Sequence, residues 1–228
     1  MEACMEEMGA FFDARVEGYR AHMADLVEDL DRFYSVVASR IEMTEVPVTI
    51  LDLGCGSGAE LEAIFVRAPR AQVTAVDLTA GMLAELARHF ASKAGDQITI
   101  VQDSFIGMEF ESASFDYVLS VFAMHYFTPA IKLGLCQKIR RWLRPTGAYL
   151  EGDTVVTPEQ APEIERWYSE RYTTDHLEEA HNPAERVYHF DIPCTVDTQL
   201  ELLSEAGFGT LDLLWRERDD SAAILAAR

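Results

Sequence analysis

A glycine-rich run, Asp52-Leu53-Gly54-Cys55-Gly56-Ser57-Gly58, stands directly after a β-branched apolar segment and before a stretch with helical spacing. Glycines in a strand-to-helix turn let the backbone bend sharply and approach a ligand that a Cβ would hold off. The spacing is G-x-G-x-G, with neither the extra residue of the dinucleotide fingerprint nor the lysine of a phosphate loop. Pyrophosphate and triphosphate are therefore not the leading ligands. Two acids follow at the ends of the next apolar segments. Asp77 can accept from both hydroxyls of a ribose, and it would repel a phosphorylated one. Asp103, in Gln102-Asp103-Ser104, can accept from the exocyclic amine of an adenine whose faces would meet Leu78 and Met82.

Further along the chain, His125 is the imidazole best placed to act as a base, because it follows the predicted end of the fourth strand; a structural role at that turn is the competing account. Glu151 and Asp153 end the fifth strand, where they could bind a cationic or hydroxyl-bearing substrate or cap the next turn. His176 and His181 are five apart and would face different sides of a helix, so with Glu178 and Glu179 they read as a solvated helix end, and no metal site is expected. Trp167, Tyr168 and Tyr172 recur at helical steps and read as packing or as a substrate wall. Cys55 reads as a small buried filler, since no base adjoins it.

The elements that must position these residues follow from periodicity. Val48 to Leu53, Ala71 to Val76, Ile98 to Val101, Tyr117 to Val121 and Ala148 to Leu150 are short apolar runs of the kind buried on both faces of a parallel sheet. Helical spacing lies between them at Ala59 to Val66, Ala80 to Ala91 and Ala130 to Leu143. This alternation predicts an α/β fold with right-handed crossovers and helices on both faces. The first ~45 residues read as helix, by steps of three and four. Residues 154–196 contain no convincing buried strand, and the helical stretch Pro158 to Ala180 suits a lid. A helix from Thr198 to Ala206 and two strands, Thr210 to Trp215 and Ala222 to Ala226, close the chain.

Composition bounds the partners. The 228 residues carry a net charge of −20 and are 49% hydrophobic, which supports a large core and disfavours nucleic acid. No apolar run is long enough to cross a membrane, and the acidic opening Met1-Glu2-Ala3-Cys4-Met5-Glu6-Glu7 is unlike an export signal. The four scattered cysteines suggest reduced thiols, so the expected location is cytoplasmic.

The runs Ile50 to Gly58, Val76-Asp77-Leu78-Thr79-Ala80-Gly81-Met82-Leu83, Phe115-Asp116-Tyr117-Val118-Leu119-Ser120 and Leu143-Arg144-Pro145-Thr146-Gly147-Ala148 together resemble the class I S-adenosylmethionine-dependent methyltransferases. Leu203-Ser204-Glu205-Ala206-Gly207-Phe208 is similar to the start of that family's closing segment. The resemblance implies a Rossmann-like seven-stranded, mostly parallel sheet whose last strand is antiparallel. It implies one methyltransferase domain, made of a helical cap (1–45), a cofactor core (46–153), a helical lid (154–196) and a last helix with hairpin (197–228). It also implies that Gly54, Gly56 and Gly58 pass under the methionine part of S-adenosylmethionine, that Asp52 and Cys55 belong to the same cofactor-binding turn, and that Asp77 holds the ribose. Leu78 and Met82 would flank the adenine, Asp103 and Ser104 would meet its edge, and Val121 and Phe122 would line the cofactor. The segment Phe12 to Tyr19 resembles one found in small-molecule members, which makes Tyr19 and Tyr34 candidates for the methionine end. The expected partner is a small-molecule acceptor, with a homodimer left open. A weaker similarity of the C-terminal half to carboxy-S-adenosylmethionine synthase would enlist Arg171 or Arg186. A non-catalytic S-adenosylmethionine-binding module with a protein partner is the remaining alternative.

Overall fold

A computed structural model describes residues 7–171, 181–182, 186–187, 189 and 191–228. Its centre is a seven-stranded sheet: β1 (Thr49–Leu53), β2 (Gln72–Asp77), β3 (Ile98–Gln102), β4 (Phe115–Val121), β5 (Leu143–Thr154), β6 (Leu211–Arg216) and β7 (Ala222–Ala227). The order is β3-β2-β1-β4-β5-β7-β6. β1 to β5 are parallel, and β7 runs antiparallel between β5 and β6. The five apolar runs and the two closing strands expected from the sequence are all present as strands, with helices between β1 and β2, β2 and β3, and β4 and β5, while β3 passes to β4 without one.

Alternate residues of each strand serve opposite faces, as the period of two requires. Ile50, Val73, Leu119, Leu150 and Ile224 pack under α3 (Leu30–Ala38), α4 (Leu61–Arg67) and α5 (Ala80–His89). Leu51, Val76, Val118, Tyr149 and Leu225 pack under α6 (Pro129–Trp142) and α8 (Val196–Glu205). Both faces are thus covered, and the C-terminal ends of β1, β2, β4 and β5 are left to form a cleft.

The N-terminal region is helical but broken. α1 (Met8–Asp13) is followed by one 3-10 turn (Val16–Gly18), α2 (Tyr19–Leu26) and then α3. The Asp29 side chain caps α3 by accepting from the Arg32 N–H, at 3.1 Å. Leu30, Phe33, Tyr34 and Val37 lie on its buried stripe. The insertion after β5 contains α7 (Ala161–Arg171) and also a two-residue antiparallel ladder, His181–Asn182 with Arg186–Val187, which the sequence reading does not include. The chain returns from the insertion against the core, where the Ile192 N–H donates to the His125 carbonyl at 2.7 Å.

Candidate functional site

The cleft begins at the turn between β1 and α4. Gly54, Gly56 and Gly58 all have positive φ. At Gly54 a Cβ would stand 2.5 Å from Cβ of Ala123, so the close approach of β1 to the β4 turn excludes any side chain. The Gly54 and Cys55 N–H groups both donate to the Val76 carbonyl, which ties the loop to the end of β2. Asp77 then holds the loop from the side: its Oδ2 accepts from the Gly56 N–H at 2.9 Å and its Oδ1 from the Thr79 N–H at 2.8 Å. Burial raises the Asp77 carboxyl above its ordinary range, and these hydrogen bonds pull it part of the way back.

An inner cleft forms around this turn. Gly54, Gly56 and Asp77 line it together with Leu78, Thr79, Met82 and Phe105. Its cover comes from the N-terminal region, as Met8, Phe12 and Tyr19. α1 is seated by the Gly81 N–H, which donates to Asp13 Oδ1 at 2.9 Å. Phe122 closes the far side in an unusual conformation, with φ +52. Its N–H donates to the Gly152 carbonyl, and its ring stacks on Phe33 at 4.8 Å between centroids, contacts that hold an aromatic residue where few are found.

Tyr126 lines the inner cleft too, and with Phe12, Tyr19 and Phe122 it also lines an outer cavity of about 820 Å³. Its other walls include Arg15, His22, Met23 and Leu26 from the N-terminal region, Ile164 from α7, and His189, Asp191 and Pro193 from the returning chain. His125 reaches it from a single 3-10 turn, Met124–Tyr126. Its Nδ1 lies 2.5 Å from Asp153 Oδ1, and both side chains are only 6% exposed. With Asp153 accepting at Nδ1, Nε2 is the second ring nitrogen, and it too has a carboxylate beside it. Nε2 lies 3.4 Å from Asp191 Oδ1, on a side chain that is 71% exposed. This pairing gives Asp153 the role of orienting His125.

Beneath the glycine turn lies a second pair of acids. Asp52 is 0% exposed and Glu60 5% exposed, and neither lines the inner cleft or the outer cavity described above. Burial raises both, Asp52 strongly, and the neighbouring Asp77 raises them further. Tyr19 and Cys55 both face Glu60 and Asp77, and burial first and acidic charges second push both groups up.

Several expected residues take other places. Tyr34 is buried in the core beside Phe33, and Val121 is buried in the same cluster; neither lines either cavity. Cys55 is buried below the turn, and Gly58 packs near Leu61 and Leu86. Asp103 is exposed and its Oδ1 accepts from the Ser104 N–H at 2.7 Å, while Phe105, two residues on, provides the wall of the cleft. Glu151 is buried behind the cavities, where its Oε2 accepts from Gln199 Nε2 at 2.8 Å. Trp167 is 42% exposed and Tyr168 is buried, so Ile164 is what α7 offers to the outer cavity. Tyr172, His176, Glu178 and Glu179, and the side chains of Arg171, His181 and Arg186, lie outside the described residues. Among those described, no group of three acids, histidines or cysteines could hold a metal ion, and no helix is long and apolar enough to cross a membrane.

Glu60 and Asp153's bond to His125 were not legible in advance. An acid at the start of a helix normally reads as a partner of the helix dipole. The pairing with Asp153 joins residues 28 apart in sequence.

Residues 50–147 match the family model of a methyltransferase domain. Among curated proteins no match is found. A solved structure from Nostoc punctiforme, carrying an O-methyltransferase label, is 16% identical with a TM-score of 0.69; it covers 99% of this chain and 63% of its own. DhpI, in a complex with SAM and HEP, is 18% identical with a TM-score of 0.67, covering 96% of this chain and 94% of its own. Human N-acetylserotonin methyltransferase, in complex with SAM, is 18% identical with a TM-score of 0.58, covering 86% of this chain and 51% of its own. The chain thus spans less than two thirds of the Nostoc and human proteins. These likenesses establish the fold, and the family match falls on the segment that holds the glycine turn and Asp77. Residues 50–147 of this chain are thus similar to a methyltransferase domain, and the fold around them is the one these solved structures share.

Proposed function

We propose that the protein transfers a methyl group from S-adenosylmethionine to a small, largely apolar molecule held in the outer cavity, with His125 as the base. The observation that carries this reading is the join between the two spaces: Phe12, Tyr19, Phe122 and Tyr126 belong both to the glycine-turn cleft and to the cavity that His125 reaches. The cofactor fits the residues present. Leu78, Met82 and Phe105 offer apolar walls to an adenine, and Asp77 has acceptor capacity for ribose hydroxyls. Gly54 leaves room that a Cβ would fill.

When bound, the cofactor supplies a methyl group already activated on a sulfonium. The work left to the protein is alignment, exclusion of water and handling of one proton. The aromatic wall and the α1 cover exclude water. Asp153 holds the imidazole of His125, whose Nε2 takes the proton from an acceptor hydroxyl or amine. Asp191 beside Nε2 and the net charge of −20 disfavour a polyanionic acceptor. The unpaired thiols of Cys55, Cys136 and Cys194 accord with a reducing compartment, and we place the reaction in the cytoplasm.

Calorimetric titration with S-adenosylhomocysteine tests the reading. Wild type binds, and Asp77→Ala binds more than tenfold more weakly. Absence of binding in the wild type would overturn it.

A further inference from the structure

The function proposed above leaves the acceptor atom open between oxygen and nitrogen, and the surroundings of His125 Nε2 distinguish the two. An acceptor atom that reaches Nε2 also comes beside Asp191, whose Oδ1 lies 3.4 Å from that nitrogen. With Asp153 at Nδ1, the imidazole has a carboxylate at each end. Among the described residues that line the outer cavity, Asp191 is the one acid. Arg15 is held on α1: it donates to the Phe11 carbonyl at 2.7 Å, and its guanidinium lies 3.6 Å from the centre of the Phe11 ring. His189 stacks on the same ring at 3.7 Å, and His22 on α2 completes the titratable groups of the wall with Tyr19 and Tyr126.

The rest of this corner is aromatic. Tyr126 lies against His125 with ring centroids 3.9 Å apart. Phe12 meets Tyr19, Tyr126 and His189 edge-on, at 6.0, 5.7 and 5.9 Å. The faces of such rings attract cations. Charge points the same way. Burial first, then Tyr19 and the carboxylates of Asp191, Asp153 and Asp77, push the Tyr126 phenol up. A corner that is both negative and rich in π faces suits a positive centre and opposes a negative one.

The two acceptor chemistries put opposite charge there. A hydroxyl gains negative charge as its proton leaves, beside the carboxylate of Asp191. An aliphatic amine arrives as an ammonium and gives one proton to Nε2, which leaves the imidazolium between Asp153 and Asp191. The freed electron pair of the nitrogen forms the N–C bond as the C–S bond breaks, the bonding pair stays on sulfur, and the nitrogen ends positive again. We infer that the acceptor is an aliphatic amine carried on an aromatic or apolar body, and that Asp191 binds its ammonium group and selects it over a hydroxyl. The inference rests on the function proposed above.

Calorimetry on protein saturated with S-adenosylhomocysteine compares matched probes: benzylamine with benzyl alcohol, 2-phenylethylamine with 2-phenylethanol, and tryptamine with tryptophol. At least one amine should bind, and more tightly than its alcohol by about fivefold, the reach of an ion pair open to solvent. In Asp191→Asn that amine should lose about the same factor, while its alcohol binds as well as before or better. The Asp191 side chain is 71% exposed, so the substitution leaves the core untouched. If S-adenosylhomocysteine does not bind, the proposed function falls and this inference with it. If it binds and no amine does, or the alcohols bind as tightly as the amines, this inference alone is overturned. Equal weakening of both members of a pair by Asp191→Asn would also overturn it, since Asp191 would then shape the cavity without reading the charge.

Discussion

Glu151 offers a quantitative test of the buried charge behind the two cavities. It is 3% exposed, and burial, reinforced by Asp153 and opposed by Lys132, pushes its carboxyl from 4.5 up to about 7. The protonated form is therefore the one the fold prefers. Below pH 4.5 the group is neutral in both folded and unfolded chains, and its stabilising contribution is complete. As pH rises toward 7 the unfolded chain ionises first, and stability is lost through that window until the folded carboxyl has ionised too. A span from 4.5 to about 7 corresponds to about 3 kcal/mol, at about 1.4 kcal/mol per tenfold change in proton affinity. Glu151→Gln has the shape of the neutral acid and keeps an oxygen for Gln199 Nε2. The attraction of Lys132 for the ionised form is already contained in the raised value, so removing the charge forfeits nothing further. The variant should match the wild type near pH 4.5 and be more stable by about 2–3 kcal/mol at pH 8. Urea unfolding of both proteins at pH 5 and pH 8 measures this, and comparing the two proteins cancels the titration of all other groups. A stability difference independent of pH, or a variant less stable at pH 8, would refute the reasoning.

Two further substitutions probe the cleft and its cover. Gly54→Ala places a Cβ against Ala123 at a positive φ and should destabilise by about 2–4 kcal/mol in urea unfolding; adding Ala123→Gly should recover part of that loss by removing the opposing methyl group. In Gly81→Ala the new Cβ would stand 2.8 Å from Asp13 Oδ1 and 2.9 Å from Val16 Cγ2, while α5 gains helix propensity. Hydrogen exchange should therefore show faster exchange in α1 and unchanged or slower exchange in α5; unchanged protection of α1 would mean that the Asp13 contact does not seat the cover.

The parts of this architecture that the sequence displays are those governed by short periods. The apolar runs of β1, β2 and β4 and the amphipathic spacing of α3, α5 and α6 are local, so strand and helix alternation could be read with bounds close to those observed. The glycine turn was legible for the same reason, since three positive-φ positions within five residues leave few other uses. What escaped depends on contacts between distant segments. Lys132 Nζ donates to Cys194 Sγ, Cys194 in turn donates to Gln199, and Gln199 to Glu151, a buried chain whose members lie on α6, β5, α8 and the returning loop. No spacing rule brings them together. Asp103 shows a local bond that a strand-end acid can also make: its Oδ1 accepts from the next backbone N–H, that of Ser104.

The aromatic wall between the two cavities also sorts residues by their freedom to change. On the proposed function, Phe12, Tyr19, Phe122 and Tyr126 would answer to two ligands at once, so a replacement that suits a new acceptor would be tested simultaneously against the cofactor. Leu26, His22 and Ile164 answer to one. They sit on α2 and α7, outside the sheet whose strands carry the glycine turn and Asp77. If the proposed function holds, diversification toward other acceptors would proceed on the outer helices, one residue at a time, while the apparatus that presents the methyl group is inherited unaltered.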